Sequence, residues 1–219
     1  MRPSLSNIFM ESFRTTTHYY RYLNHTPKTS PNKNIPIIVF PGFLTGDWST
    51  YPLRNHLNTR GFRAYGWGQG TNDGFSLKKL RDLSALIDRL HKKHKQPVIL
   101  IGWSLGGLYA RELSRMSPSV SKVVTLASPF ANLFANYFVD AYQIINNESP
   151  KGLAVIAEMI KTPLKVPSLN LYTKYDGVVH WMSCFHDGDE LATAIEVKTS
   201  HTGMGFEPKV FEHIVKFIS

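Results

Sequence analysis

Short apolar runs alternate along the chain with longer stretches in which leucines recur every three or four residues. Ile35-Pro36-Ile37-Ile38-Val39-Phe40 is the first such run, rich in β-branched residues and closed by Pro41-Gly42. Val98-Ile99-Leu100-Ile101-Gly102 reads as another strand, and Val123-Val124-Thr125-Leu126 and Leu169-Asn170-Leu171-Tyr172, mainly apolar, read as strands as well. Continuous apolarity is what a strand covered on both faces requires. Phe62 to Trp67 and Ala194-Ile195-Glu196-Val197 are two further strand candidates. Leu77, Leu80, Leu83, Ile87 and Leu90 fall on one face of a long helix. Shorter helices are expected over Leu53 to Leu57, stopped by Gly61, over Leu105 to Ser114, and over Pro208 to Phe217. This alternation predicts an α/β fold, a mainly parallel sheet flanked by helices and joined by right-handed crossovers.

Two segments depart from the rhythm. Residues 1–34 are polar and mixed, and they end in Thr26-Pro27-Lys28-Thr29-Ser30-Pro31-Asn32-Lys33-Asn34, a loop composition. They read as an N-terminal arm ahead of a body spanning residues 35–219. Residues 130–165 carry helical pattern without a strand, where a small helical cap or lid is expected. Within them Phe130, Leu133, Phe134, Tyr137, Phe138 and Tyr142 recur near helical spacing over 130–145. A helix so aromatic caps a pocket, touches a lipid surface or packs on the core.

Composition narrows the picture. The chain has 219 residues, 42% apolar and 19% charged, with a net charge of +9. The cations are dispersed. Their densest cluster, Lys92-Lys93-His94-Lys95, sits at a predicted helix end, where cations complement the dipole and stay solvated. No nucleic-acid reading motif accompanies them, so no nucleic-acid partner is expected. The N-terminus lacks an apolar core of signal-peptide length, and no run approaches the roughly 18 apolar residues of a membrane span. A cytoplasmic location without a transmembrane segment is therefore expected. Cys184 is the one cysteine and reads as a small buried apolar residue rather than a nucleophile. Gly66-Trp67-Gly68-Gln69-Gly70 fails the spacing of a dinucleotide loop and reads as a turn at the rim of the site.

The candidate chemistry lies at Gly102-Trp103-Ser104-Leu105-Gly106, which matches G-x-S-x-G between a strand and a helix. A sharp turn there projects the Ser104 hydroxyl, and glycines two before and two after remove colliding side chains. The helix N-terminus that follows favours negative charge, and the Leu105 N–H is aimed at a developing oxyanion. A second donor is expected from the loop after the first strand, Phe40-Pro41-Gly42-Phe43-Leu44, with the Phe43 N–H as candidate. A serine nucleophile needs a base, and the base an orienting carboxylate, in the chain order Ser, Asp or Glu, His. Asp176, in Asp176-Gly177 after the Leu169 strand, fits the acid; Asp187 and Asp189 are alternatives in a polar loop. His201 follows the last strand and fits the base. His91 and His94 read as solvated and His213 lies within a helix. His18, His25 and His56 precede the serine, and His180 and His186 follow Asp176 too closely.

These residues resemble the bacterial lipase and esterase branch of the α/β-hydrolases. The resemblance covers roughly residues 35–218 and rests on Pro41-Gly42-Phe43, Gly102-Trp103-Ser104-Leu105-Gly106, Thr125-Leu126-Ala127-Ser128-Pro129, Tyr175-Asp176-Gly177-Val178-Val179 and Ser200-His201-Thr202-Gly203-Met204. It implies an α/β-hydrolase fold, a Ser104–His201–Asp176 triad, an oxyanion hole from Phe43 and Leu105, and a small-molecule or lipid ester as substrate. Many relatives carry His-Gly where this chain has Pro41-Gly42, and His where it has Trp103. Neither position supplies a triad group. No metal or cofactor is expected. A thioesterase, an acyltransferase and a non-catalytic binding protein on the same scaffold remain open alternatives.

Overall fold

The computed structural model describes residues 2–147, 149–186 and 188–219. Six strands form one sheet: β1 (Pro36–Phe40), β2 (Arg63–Gly66), β3 (Val98–Trp103), β4 (Val120–Leu126), β5 (Ser168–Tyr172) and β6 (Ala192–Glu196), in the order β2-β1-β3-β4-β5-β6. Every pairing is parallel. The apolar runs become the central strands, and β1 and β3 are buried along their whole length. Alternate residues divide between two cores. Ile37, Val39, Ile99 and Ile101 meet helices α2 (Tyr51–Thr59) and α7 (Pro208–Ile218) on one face. Ile38, Phe40 and Leu100 meet α3 (Leu77–His94) and α4 (Leu105–Met116) on the other. Both faces are thus covered by helices, as continuous apolarity demands.

The segment between β4 and β5 holds two helices, α5 (Val139–Asn146) and α6 (Pro150–Lys161). With the N-terminus of α4 they build a third apolar cluster from Leu105, Leu108, Phe130, Leu133, Tyr142, Leu153 and Ile160. The expected aromatic helix begins only at Val139. Residues 130–138 are irregular because Asn132 and Asn136 fold their side chains onto the backbone, Asn132 Oδ1 accepting from Phe134 N at 3.1 Å and Asn136 Oδ1 from Phe138 N at 2.8 Å. Such local bonds compete with helix formation. Of the aromatic residues there, Phe130 and Tyr142 are buried while Phe134 and Phe138 stay about half exposed.

Most of the N-terminal arm is helical. Its first part is α1 (Leu5–Leu23), with Ser4 as N-cap. Its pattern is reversed relative to the other helices. Leu5, Phe9, Phe13 and Tyr20 face solvent, whereas His18 is buried and Asn7, Glu11, Arg14 and Thr15 bond to the body. His94 also departs from its reading. It is buried, bonded to Tyr65 Oη at 2.8 Å and Asn34 Oδ1 at 2.8 Å, because α3 turns its last residue back onto β2.

Candidate active site

The carboxyl ends of β3, β5 and β6 bring the predicted residues to one edge of the sheet. Ser104 joins β3 to α4 with φ 54° and ψ −120°, a region that side chains other than glycine rarely occupy. The close approach is enforced from both sides: a Cβ on Gly102 would collide with the Gly106 backbone, and one on Gly106 with the Phe40 carbonyl. Only glycine fits either place, which accounts for both glycines of the motif in steric terms.

Asp176 follows β5 and is buried. Its Oδ1 accepts the Val178 and Val179 N–H groups, each at 2.7 Å. Its Oδ2 faces His201 Nδ1 at 2.8 Å. Both oxygens are therefore committed as acceptors, and His201 presents Nε2 as the free ring nitrogen. The His201 backbone is held by the adjacent Trp103, whose indole Nε1–H donates to the His201 carbonyl at 3.1 Å. Burial alone would push the His201 imidazole down, yet the Asp176 carboxylate, through charge and hydrogen bond, and then the Glu11 charge hold it above its ordinary value. Among the described residues the Ser104 hydroxyl has no hydrogen-bond partner. Asp176 and His201 are thus paired, while no hydrogen bond joins Ser104 to His201 among the described residues. Such contacts commonly close only when substrate binds.

The Leu105 N–H opens α4, where no intrahelical acceptor exists. The Phe43 N–H carries no backbone bond among the described residues. Phe43 sits in a loop fastened by Asn72, a fully buried residue that sequence reasoning missed. Asn72 Nδ2 donates to the Pro41 carbonyl at 2.7 Å, and its backbone pairs with Thr45 and Leu44 at 2.8 Å each. The glycine-rich run 66–70 is a turn whose Trp67 and Gly68 N–H groups are both taken by the Asp47 carboxylate, at 2.9 and 3.1 Å. An internal anion thus fills the place a phosphate would need.

Beside Ser104 opens a cavity lined by Phe43, Leu105, Leu133, Phe138, Tyr142, Leu153 and Val179, with Asn136 as a polar neighbour. Its volume, mouth included, is about 550 Å³. It forms an apolar slot beside α5 and α6.

Other predicted residues lie apart from the site. Asp189 caps a surface turn, accepting from Leu191 N at 3.2 Å; Asp187 lies outside the described residues. Cys184 is buried, and burial raises its thiol far above the ordinary range. His25, His56 and Glu212 have ligand atoms within 4.8 Å of one another, the spacing a metal would need. There, however, Arg60 Nη1 already engages both Glu212 oxygens, at 2.6 and 2.9 Å. No helix among the described residues is long and apolar enough to cross a membrane.

A family model described as the alpha/beta hydrolase family matches residues 37–196. Comparison with curated proteins brings no match. Among solved structures the chain is similar to lipase B of Aspergillus fumigatus, at 16% identity and a TM-score of 0.63, over 85% of this chain and 54% of that one. It thus spans about half the length of the fungal lipase. It is similar also to a Bacillus licheniformis lipase in mature form, at 12% identity and a TM-score of 0.63, over 89% and 96% of the two chains. A carboxylesterase of Bacillus subtilis resembles it at 14% identity and a TM-score of 0.57, over 95% and 98%. At these identities the structures share a fold.

Proposed function

The chain belongs to the alpha/beta hydrolase family, and from that premise we propose that it is a serine hydrolase of carboxylic esters with an apolar acyl group. The observation that carries this reading is a serine on a strained elbow beside a buried His201–Asp176 pair, with an apolar slot at its side. In the proposed cycle, Ser104 Oγ attacks the acyl carbon as its proton passes to His201 Nε2. The Phe43 and Leu105 N–H groups hold the oxyanion. The carbon–oxygen bond to the alcohol breaks, and the leaving alkoxide takes the proton from His201. Water then attacks the acyl-enzyme with His201 as base again, releasing the acid and restoring Ser104. Asp176 fixes the Nδ1–H tautomer and stabilises the transient imidazolium.

The apolar lining supports an apolar acyl group, and the half-exposed Phe134 and Phe138, in the irregular segment ahead of α5, offer apolar surface for a lipid substrate. Residues 130–165 are in this reading a cap on the body of residues 35–219.

The test is hydrolysis of p-nitrophenyl esters of increasing acyl length, together with labelling by a fluorophosphonate probe. Wild type is expected to label and turn over, and Ser104→Ala to lose labelling and about 10⁴-fold or more of kcat. Labelling that persists in Ser104→Ala overturns the assignment.

A further inference from the structure

The acid and base loops are joined by a residue from far outside both. Glu11, near the middle of α1, accepts the Thr202 N–H at 2.7 Å and the Thr202 hydroxyl at 2.6 Å through Oε1. Its Oε2 accepts the Gly177 N–H at 3.0 Å. Gly177 directly follows Asp176, and Thr202 directly follows His201. We propose that Glu11 is a positioning residue for the reaction, its carboxylate tying the acid loop to the base loop and setting the charge felt by His201. The inference rests on the Ser104–His201–Asp176 reading.

Three observations support it. The bonds are concentrated on the two residues that follow acid and base, rather than scattered over the contact between α1 and the body. The neighbours of Glu11 reinforce the same loops: Asn7 Nδ2 donates to the Lys174 carbonyl at 2.9 Å, Arg14 Nη1 to the Tyr175 carbonyl at 3.0 Å, and Thr15 Oγ1 lies 3.3 Å from Ser200 Oγ. The fit is close enough that a Cβ on Gly177 would come within 2.7 Å of the Asn7 carbonyl. The Asp-Gly pair, which in the sequence is an ordinary turn, is therefore also what lets α1 sit against the acid.

The charge argument is separate. Burial alone would raise the Glu11 carboxyl, but its Thr202 and Gly177 bonds and the His201 charge outweigh this and hold it below its ordinary value. An ionised Glu11 is a second negative charge acting on His201 besides Asp176. When His201 takes the Ser104 proton it becomes cationic, and a carboxylate in that position stabilises it. The other charged and titratable groups around the two loops are otherwise engaged. His18 pairs with Glu207 and Arg21 with the same carboxylate, Arg14 bonds the Tyr175 carbonyl, and Lys174 pairs with Glu196. His180 stacks on Trp181, and Cys184 is a buried thiol.

The experiment compares full-length wild type with Glu11→Gln, Glu11→Asp and Glu11→Ala. It measures p-nitrophenyl acetate kinetics across pH, fluorophosphonate labelling as a count of competent sites, and a circular dichroism melt. Loosening of both loops is expected to lower kcat per labelled site by about 10²-fold in Glu11→Ala. Ester hydrolysis needs neutral His201, so kcat/KM is lost as pH falls through the His201 pKa. Removing the Glu11 charge lowers that pKa, so the acidic limb moves to lower pH in Glu11→Gln and Glu11→Ala. Glu11→Asp keeps the charge and is expected to hold the limb near wild type while recovering part of kcat. A lowered melt with an unmoved limb and unchanged kcat per labelled site would assign Glu11 to stability alone and overturn the proposal. Glu11→Gln carries the test if Glu11→Ala does not fold. Wild type that neither labels nor hydrolyses overturns the triad reading and this inference with it. Active wild type with indistinguishable variants overturns this inference alone.

Discussion

Replacing Asp176 by Asn changes one oxygen into an NH₂ group, and the structure dictates which one. The wild-type Oδ1 accepts two backbone N–H groups at 2.7 Å, while Oδ2 accepts one imidazole N–H at 2.8 Å. If the amide nitrogen faced Val178 and Val179, two buried donors would oppose a third. At about 1–3 kcal/mol for each unsatisfied group, this orientation is worse by roughly 2–6 kcal/mol. The introduced amide would therefore keep its oxygen on the backbone pair and turn its NH₂ toward His201. Nδ1 must then accept, and the imidazole proton moves to Nε2, the atom that in the proposed cycle receives the Ser104 proton. The fold is retained, because two of three hydrogen bonds persist. The loss of kcat expected for the wrong tautomer is about 10⁴-fold. That is about 5.4 kcal/mol of transition-state stabilisation, at about 1.36 kcal/mol per decade. Spectrophotometric ester hydrolysis between pH 6 and 9, paired with guanidinium unfolding, measures both quantities. A folded Asp176→Asn enzyme that retains a tenth of wild-type kcat would refute the tautomer argument and the role assigned to Asp176.

Two further outcomes are expected. Asn72→Ala leaves the Pro41 carbonyl without its 2.7 Å partner and frees the loop carrying Phe43. It should cost about 1–3 kcal/mol in urea unfolding and lower kcat by up to about 10²-fold, the value of one oxyanion donor; lost stability with intact kcat would deny the loop its catalytic part. Glu207→Gln tests a buried pair. Burial alone would raise the Glu207 carboxyl, but His18 at 2.5 Å and Arg21 at 3.1 Å hold it below its ordinary value. A carboxyl depressed in the folded state contributes stability above the unfolded pKa of about 4.3, and this is lost as pH falls through the folded value. Melting temperatures from pH 6 to 3 should fall less steeply in the variant than in wild type, and parallel curves would count against the pair.

The strands β1 and β3 were legible because burial on both faces leaves an unbroken apolar run, β4 and β5 as mainly apolar runs whose buried Thr125 and Asn170 bond each other at 2.8 Å, and the elbow because only glycine fits at positions 102 and 106. The pairing of Asp176 with His201 was foreshadowed by their places after β5 and after the mixed, partly exposed β6. Helix α1 was not, since period analysis assigns the apolar face of a helix to the interior, and here the inward residues are Asn7, Glu11, Thr15 and His18. Residues 130–138 misled for the complementary reason: aromatic spacing suited a helix, but Asn132 and Asn136 gave the backbone nearer partners. Asn72 left no mark in the sequence, because a buried asparagine and a turn asparagine read alike. His94 reads in the sequence as one more solvated residue in a basic cluster, whereas α3 ends against Tyr65 and Asn34.

A helix attached by its polar side is keyed in rotation as well as in place. Each residue advances an α-helix by about 100°. One residue inserted between Glu11 and His18 would swing one of these groups off the surface that the other still grips. The same insertion near Pro27 and Lys28 would only lengthen the tether before Ser30 meets the Thr59 carbonyl at 3.0 Å. The first thirty-odd residues therefore combine a stretch intolerant of added length with one that absorbs it.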